Sequence, residues 1–293
     1  MDWKLIGTCN LRCLHCYGPP KTERTLPLKQ LFEIIWRFKD LGVKTVVLTG
    51  GEPLLVPSIG EVMRILHEAN MSIALSTNTS YFARFEGEIG KYVTSLNIPL
   101  DGSTSEIHAR SRADRKTFFS CLEVLRHYKT RPSEKPRLLR VGTVYSKATV
   151  GDFLAIADLL QPFMEVINTW KIYELIDYEF QQELRQPILH KTSAFETEMA
   201  ELLQKSFFGS KIMIAPASTR DKAYFMVNPK GLVVIPTNLD GVTHEVVVGD
   251  ILKDSMDELI ARWLEKINAE NYHENHDQHY RKTTFFHRKD SPG

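Results

Sequence analysis

The chain has 293 residues, 43% of them hydrophobic, which is enough to bury one large core. Its 37 Lys and Arg balance 36 Asp and Glu to a net charge of +1, so no global field draws in nucleic acid or an anionic membrane and recognition has to be local. No apolar run reaches the roughly 18–20 residues of a membrane span and the N-terminus lacks the apolar core of a signal peptide, which places the protein in the cytoplasm.

From residue 2 to about 143, short β-rich runs alternate with amphipathic runs of helix length, the pattern of a parallel sheet built from βα units. Strands are expected over 3–8, 45–49, 72–76, 95–100, 138–145 and 167–175. Helices are expected over 28–41, 59–69, 82–93, 117–128 and 150–160, the first from the spacing of Leu31, Ile34, Ile35 and Phe38 and stopping at Gly42. Right-handed crossovers curl six such units into an open, partial (β/α)6 TIM-like barrel, an α/β fold occupying residues 1–190. In such folds chemistry gathers where the strands end. A cysteine loop follows the first strand, Gly50-Gly51-Glu52-Pro53 the second, Asn78 the third and Asp101-Gly102 the fourth, so all four share one rim. Beyond residue 190 the rhythm changes to a helix over 194–207, β-rich runs over 212–215, 224–227, 232–235 and 245–248 with a hairpin turn at Pro229-Lys230-Gly231, and a helix over 255–267 whose Ser255 and Glu258 form a capping-box pattern. Residues 191–270 are therefore expected to make a small α+β cap, and 271–293 a polar, frayed tail.

Three of the four cysteines, Cys9, Cys13 and Cys16, fall within eight residues as C-x3-C-x2-C. In a reducing compartment such crowding asks for a metal rather than a disulfide. Thiolates so spaced can wrap one iron–sulfur cube, and three ligands for four irons leave one iron open. The competing reading is zinc completed by His15. At Gly50-Gly51 the absence of side chains lets the backbone approach a ligand closely, although an ordinary turn would account for the glycines equally well.

The C-x3-C-x2-C loop followed by the aromatic Tyr17 resembles the radical S-adenosylmethionine (SAM) enzymes, and Gly50-Gly51-Glu52-Pro53 is similar to their second motif; the resemblance runs over most of the chain. It implies that Cys9, Cys13 and Cys16 hold a [4Fe–4S] cluster whose open iron chelates the methionine part of SAM. An electron donor such as flavodoxin or ferredoxin then reduces the cluster, and the 5′-deoxyadenosyl radical that results takes hydrogen from a substrate. By the same resemblance Gly50, Gly51 and Glu52 lie along the SAM amino group, and Tyr17, Ser76, Asn78 and Asp101 line the cofactor. Arg112, with Arg110 second, pairs with its carboxylate, which suits a guanidinium fork. Pro99 departs from the pattern, standing where many relatives have serine. Residues 224–263 resemble the twitch or SPASM extension, which normally ligates auxiliary clusters. No cysteine follows Cys121, and Thr237 follows Pro236 where a relative places one, so a cap without a cluster is implied.

Cys121 lies in an amphipathic run on the outer layer and is expected to be buried. Tyr145, Lys171, Tyr173 and Glu174, with Lys230 or His244 from the cap, are candidates for facing a substrate at the barrel mouth; alternation decides which point inward, and the sequence leaves that parity open. His273, His276 and His279 recur every third residue, a spacing that fits a solvated helix better than a metal site. The expected substrate is a small molecule such as a sugar, nucleoside or nucleotide, and viperin-like nucleotide dehydratases resemble this single-cluster plan. The chain starts almost at its first strand, leaving no room for a leader-binding domain, so a ribosomally made peptide brought by a separate partner is second. A non-catalytic barrel that holds a cluster or zinc as a clip or redox sensor is the remaining alternative.

Overall fold

The computed structural model describes residues 1–190 and 192–280. Its first half alternates β1 (Asp2–Ile6), α1 (Leu28–Asp40), β2 (Thr45–Gly50), α2 (Ile59–Glu68), β3 (Ser72–Ser76), α3 (Phe82–Tyr92) and β4 (Ser95–Pro99), followed by the helix pair α4 (Ser105–Arg112) and α5 (Lys116–Thr130). Then come β5 (Leu138–Tyr145), α6 (Phe153–Leu160), β6 (Thr169–Glu174), the short α7 (Gln182–Arg185), α8 (Thr192–Lys205) and β7 (Ile212–Ala215). The chain continues through β8 (Met226–Val227), β9 (Leu232–Leu239) and β10 (Val242–Asp250) to α9 (Met256–Leu264) and α10 (Ala269–Tyr280). The expected elements are present with ends shifted by a few residues. Among the described residues no helix is long and apolar enough to cross a membrane.

The strands form one ten-stranded sheet in the order β10-β9-β8-β1-β2-β3-β4-β5-β6-β7, parallel from β8 through β1 to β7, with antiparallel pairing confined to β8, β9 and β10. The fold is α/β with a parallel-dominated, unclosed sheet, a partial barrel. Six parallel strands were expected and a seventh, β7, continues the series; Ile212–Ala215 is too short an apolar run for the sequence to separate a barrel strand from a hairpin strand. The segment expected as a cap thus adds strands to both edges of the barrel sheet.

The core lies between the sheet and its outer helices. Trp3 meets Phe38 of α1 edge to face at 5.4 Å, and Trp170 lies between Phe153 of α6 and Phe208 while its indole Nε1 donates to Thr143 Oγ1 at 2.8 Å. Burial alternates along β5, with Leu139, Val141, Thr143 and Tyr145 on the helix side. Gly42, at φ +69°, closes α1, where its amide and that of Val43 turn back to the carbonyls of Lys39 and Phe38. Ser255 and Glu258 cap α9 reciprocally. The tail from Glu270 was expected to fray, but up to Tyr280 it is helical: Asn271 Nδ2 donates to the carbonyls of Ser218 and Asp221, and Asn275 bonds Thr219 and Tyr224. Side-chain amides answering one turn of backbone carry no hydrophobic signal.

Trp170→Ala is expected to lower stability by about 3–5 kcal/mol, since it removes a buried indole with its hydrogen bond, read as the urea unfolding free energy.

Candidate functional site

The loop after β1 carries Cys9, Cys13 and Cys16, all free thiols. Each sulfur faces a donor: the amide of Leu11 to Cys9 Sγ at 3.4 Å, the amide of Gly18 to Cys16 Sγ at 3.4 Å, and Arg112 Nη1 to Cys13 Sγ at 4.0 Å. Burial pushes the Cys9 and Cys13 thiols up, Cys13 to about 12; Cys16 raises Cys9 further, and Cys16 and Cys9 raise Cys13. They hold their protons until a cation takes the sulfur. Among the described residues no three His, Cys, Asp or Glu side chains converge on one point as a single metal ion requires; the three thiols share one short loop within electrostatic reach of one another, and three thiolates are the number that would leave one iron of a four-iron cluster open. The loop is held by cations that grip its carbonyls, two of them, Arg185 and Lys4, fully buried. Arg185, fully buried, donates from Nη2 to Cys16 O at 2.7 Å, Lys4 Nζ donates to Tyr17 O at 3.1 Å, and Lys21 Nζ donates to Leu11 O.

The turn Gly50-Gly51 lies directly on that loop. A Cβ at Gly51 would stand 2.2 Å from Thr8 O and 2.4 Å from Gly7 O, and Gly50 has φ +129°. On the other side a Cβ at Gly18 would stand 2.9 Å from Gly50 O. Only glycine permits this approach. Glu52 is fully buried and accepts from Leu54 N at 3.0 Å, Thr77 Oγ1 at 2.7 Å and Asn78 N at 2.7 Å, so it binds the turn after β2 to the turn after β3. Burial, opposed by those donors, raises its carboxyl to about 7.

Asn78 Nδ2 donates to Asn10 Oδ1 at 2.8 Å and lies 3.7 Å from Cys9 Sγ. Ser76 faces into the barrel and accepts from Asn97 Nδ2 at 3.1 Å. Asp101, fully buried, accepts from Arg112 Nε at 2.5 Å and from Val144 N at 2.7 Å, and His15 Nε2 stands 3.7 Å from it. Burial alone would raise Asp101, but Arg112, His15 and His108 hold its carboxyl below the usual range. His15, weighed in the sequence only as a zinc ligand, is part of this network, and burial lowers it to about 4. Tyr17 is half exposed, while its hydroxyl turns inward to Thr49.

The substrate candidates divide by face. Lys171 and Tyr173 point into the barrel, opposite Trp170 and Ile172. Tyr145 packs on Phe153, His190 and Phe195 on the helix side, and Glu174 accepts from Ala217 N and pairs with His190 there. Lys230 is exposed and paired with Glu23, and His244 pairs with Glu179. Cys121 is buried, its thiol donating to Pro99 O at 2.6 Å. In the tail, the side chains of His276 and His279 lie outside the described residues. Arg185, Lys4, Arg140 and Arg220 went unnoticed in the sequence, since an isolated basic residue has no periodicity or spacing to mark it.

The model of the radical SAM superfamily matches residues 3–160, and the chain belongs to that superfamily. An AdoMet-dependent heme synthase from Methanosarcina barkeri is 31% identical over 134 residues, 42% of this chain and 38% of that one. An S-adenosylmethionine-dependent nucleotide dehydratase from Flammeovirga pacifica is 21% identical over 79% of this chain and 80% of its own length. Streptococcus suis SuiB bound to S-adenosylmethionine superposes with a TM-score of 0.67 at 14% identity, over 94% of this chain and 66% of that one, a likeness of fold; SuiB has also been solved bound to its precursor peptide SuiA. The chain spans well under half of the heme synthase. Members of the superfamily are enzymes that use a [4Fe–4S] cluster and SAM.

Asp101→Asn is expected to cost about 3–5 kcal/mol at neutral pH by stranding the half-buried Arg112 beside a site left without its carboxylate charge. Because the folded carboxyl lies below its ordinary 3.8, the wild-type advantage is present above that pH and is lost as the pH falls below it. Unfolding free energies of both proteins between pH 3 and pH 7 check the sign.

Proposed function

We propose that the protein is a radical SAM enzyme that binds SAM at a [4Fe–4S] cluster ligated by Cys9, Cys13 and Cys16, receives its electron from a donor such as flavodoxin or ferredoxin, and acts on a small molecule of the sugar, nucleoside or nucleotide kind. The observation that carries this reading is the contact of main chain on main chain between the three-thiol loop and the Gly50-Gly51 turn, at the strand ends of a partial barrel. Bound there and reduced, the cluster would supply the electron that splits SAM into methionine and a 5′-deoxyadenosyl radical.

The chain's own residues hold and position. Asp101 fixes Arg112 through Nε while Nη1 stays directed to Cys13, beside the position where a carboxylate would sit. Glu52 sets the Thr77-Asn78 turn, and Asn78 stands against Cys9. Tyr17 and Tyr178, ring centres 6.2 Å apart, both pack against the Lys4 ammonium below the loop. The length of the match to the nucleotide dehydratase supports a small molecule. A peptide substrate is the second reading, favoured by the likeness to SuiB.

Anaerobically reconstituted protein given dithionite and SAM is expected to release 5′-deoxyadenosine and methionine, and Cys13→Ala to release none. A full cluster without either product, with candidate substrates present, or zinc as the only metal of anaerobically purified protein, would sink the reading. Gly51→Ala is expected to weaken SAM binding by about tenfold or more, because the new methyl displaces the turn, as measured by equilibrium binding to the reconstituted protein.

A further inference from the structure

Two buried cations stand directly behind the third thiol of the cysteine loop. On its sulfur side, Cys16 Sγ faces the Gly18 amide at 3.4 Å, much as Cys9 Sγ faces that of Leu11. On its carbonyl side the cations meet two consecutive residues: Arg185 Nη2 donates to Cys16 O at 2.7 Å and Lys4 Nζ donates to Tyr17 O at 3.1 Å. Both side chains are fully buried. Neither is a chain neighbour of the loop's end, since Arg185 comes from α7, 169 residues beyond Cys16, and Lys4 from the middle of β1.

Arg185 Nη2 also donates to Phe180 O at 2.8 Å, and Nη1 donates to Tyr178 O at 2.6 Å and to Asp177 Oδ1 at 3.0 Å. The guanidinium thus meets its counter-charge through Nη1 and turns Nη2 to Cys16, so the positive end of the pair is the end at the thiol residue. Lys4 Nζ pairs with Glu245 and lies 5.3 Å and 5.2 Å from the ring centres of Tyr17 and Tyr178. The Tyr178 hydroxyl donates to the same Glu245 oxygen at 3.1 Å. Hydrogen bonds and aromatic faces offset the desolvation of both cations. Buried pairs of this kind often add no stability over apolar side chains of similar volume, so stability by itself does not account for two of them on adjacent carbonyls. Their charge does more: the potential of an iron–sulfur cluster depends on net charge, hydrogen bonds to sulfur and exposure, and a charge acts most strongly where water is excluded.

We propose that Lys4 and Arg185 are positioning residues that set the electron affinity of a cluster held by Cys9, Cys13 and Cys16. The inference rests on the cluster-ligation part of the reading above and goes beyond it. One electron passes from the reduced donor of flavodoxin or ferredoxin type, which is oxidised by one electron, to the cluster, whose core goes from doubly to singly positive; no bond is made or broken and no proton moves. The loop gains one negative charge in that step, and positive charge fixed at the Cys16 and Tyr17 carbonyls stabilises the reduced state more than the oxidised one. Lys4 and Arg185 therefore raise the midpoint potential, and Glu245, the counter-charge of Lys4, lowers it. Because Arg185 also gathers the carbonyls of Tyr178 and Phe180, the same guanidinium fastens the connection after β6 to the cysteine loop.

The test is a redox titration of the anaerobically reconstituted full chain without SAM, followed by electron paramagnetic resonance of the reduced cluster. At a fixed poise the ratio of reduced to oxidised cluster is expected to fall roughly three- to tenfold in Lys4→Gln and in Arg185→Gln, a tenfold fall being about 59 mV for a one-electron couple. Glu245→Gln is expected to shift the potential the opposite way, and Lys4→Gln with Glu245→Gln to lie between the two single variants. Arg185→Lys, which keeps the charge, stays closer to wild type than Arg185→Gln, and Lys205→Gln on the exposed side of α8 changes nothing. Opposite shifts from the two members of one ion pair follow from charge and not from lost packing. Circular dichroism with iron and sulfide content restricts the comparison to folded, fully loaded variants; if one cation variant is not among them, the other and Glu245→Gln decide. Loaded variants at the wild-type potential, or Lys4→Gln and Glu245→Gln shifting in the same direction, overturn the proposal. The same preparations, given SAM and dithionite, are assayed for 5′-deoxyadenosine. Its release by wild type with no shift in the variants removes the tuning and leaves SAM cleavage standing; opposite shifts without release support the tuning and remove the enzyme reading. Wild-type protein that takes up no cluster overturns both.

Discussion

The amide of Gly51 donates to the Ile6 carbonyl at 2.5 Å and that of Glu52 to the Thr8 carbonyl at 3.0 Å, so the turn after β2 rests main chain to main chain on the loop after β1. No side chain could stand between them. This contact sets the height of the cysteine loop over the barrel and brings the Glu52 carboxylate to the turn after β3. Three consecutive strand ends are thereby fixed relative to one another, with Asn78 arriving beside Cys9 as the third link.

Around that contact the rim is stabilised by buried charge. Asp101 with Arg112, Lys4 with Glu245, and Arg185 with Asp177 are ion pairs in which at least one member is fully buried. Such pairs recover their desolvation cost only when further hydrogen bonds complete them, and here they do: Asp101 also accepts from Val144, Tyr178 donates to Glu245, and Arg185 donates to the carbonyls of Tyr178, Phe180 and Cys16. Their geometric gain is a loop of fixed shape made from a stretch with little apolar content of its own. The same strategy leaves the interior polar below the loop.

The sheet stays open, yet its mouth is bridged. After β6 the chain crosses to β10, where Thr243 N donates to Asp177 O at 2.8 Å and Glu179 N donates to Thr243 O at 2.9 Å. That crossing joins strands from near opposite ends of the sheet and carries Tyr178 over to Lys4 and Tyr17. The late strands β8, β9 and β10 therefore do two things: they extend the sheet beyond β1, and they supply Glu245 and the docking edge for the β6–α7 connection.

The strands, the outer helices and the four loops at one rim were legible in the chain itself, because apolar alternation, helical spacing and the cysteine and glycine motifs are local signals. Gly42 as a helix stop and Ser255 with Glu258 as a cap were legible for the same reason, each being a matter of a few adjacent residues. The inward parity of Lys171 and Tyr173, against the outward parity of Tyr145 and Glu174, depends on which neighbouring residues meet the helices, and short strands of mixed polarity do not fix that alone. The joining of the late strands to both edges of the barrel, and the meeting of Lys4, Arg185 and Arg220 with carbonyls as many as 169 residues away, are long-range pairings. A lone buried cation announces no partner in sequence; only the closed tertiary structure, where desolvation forces each charge to find an acceptor, decides what it holds.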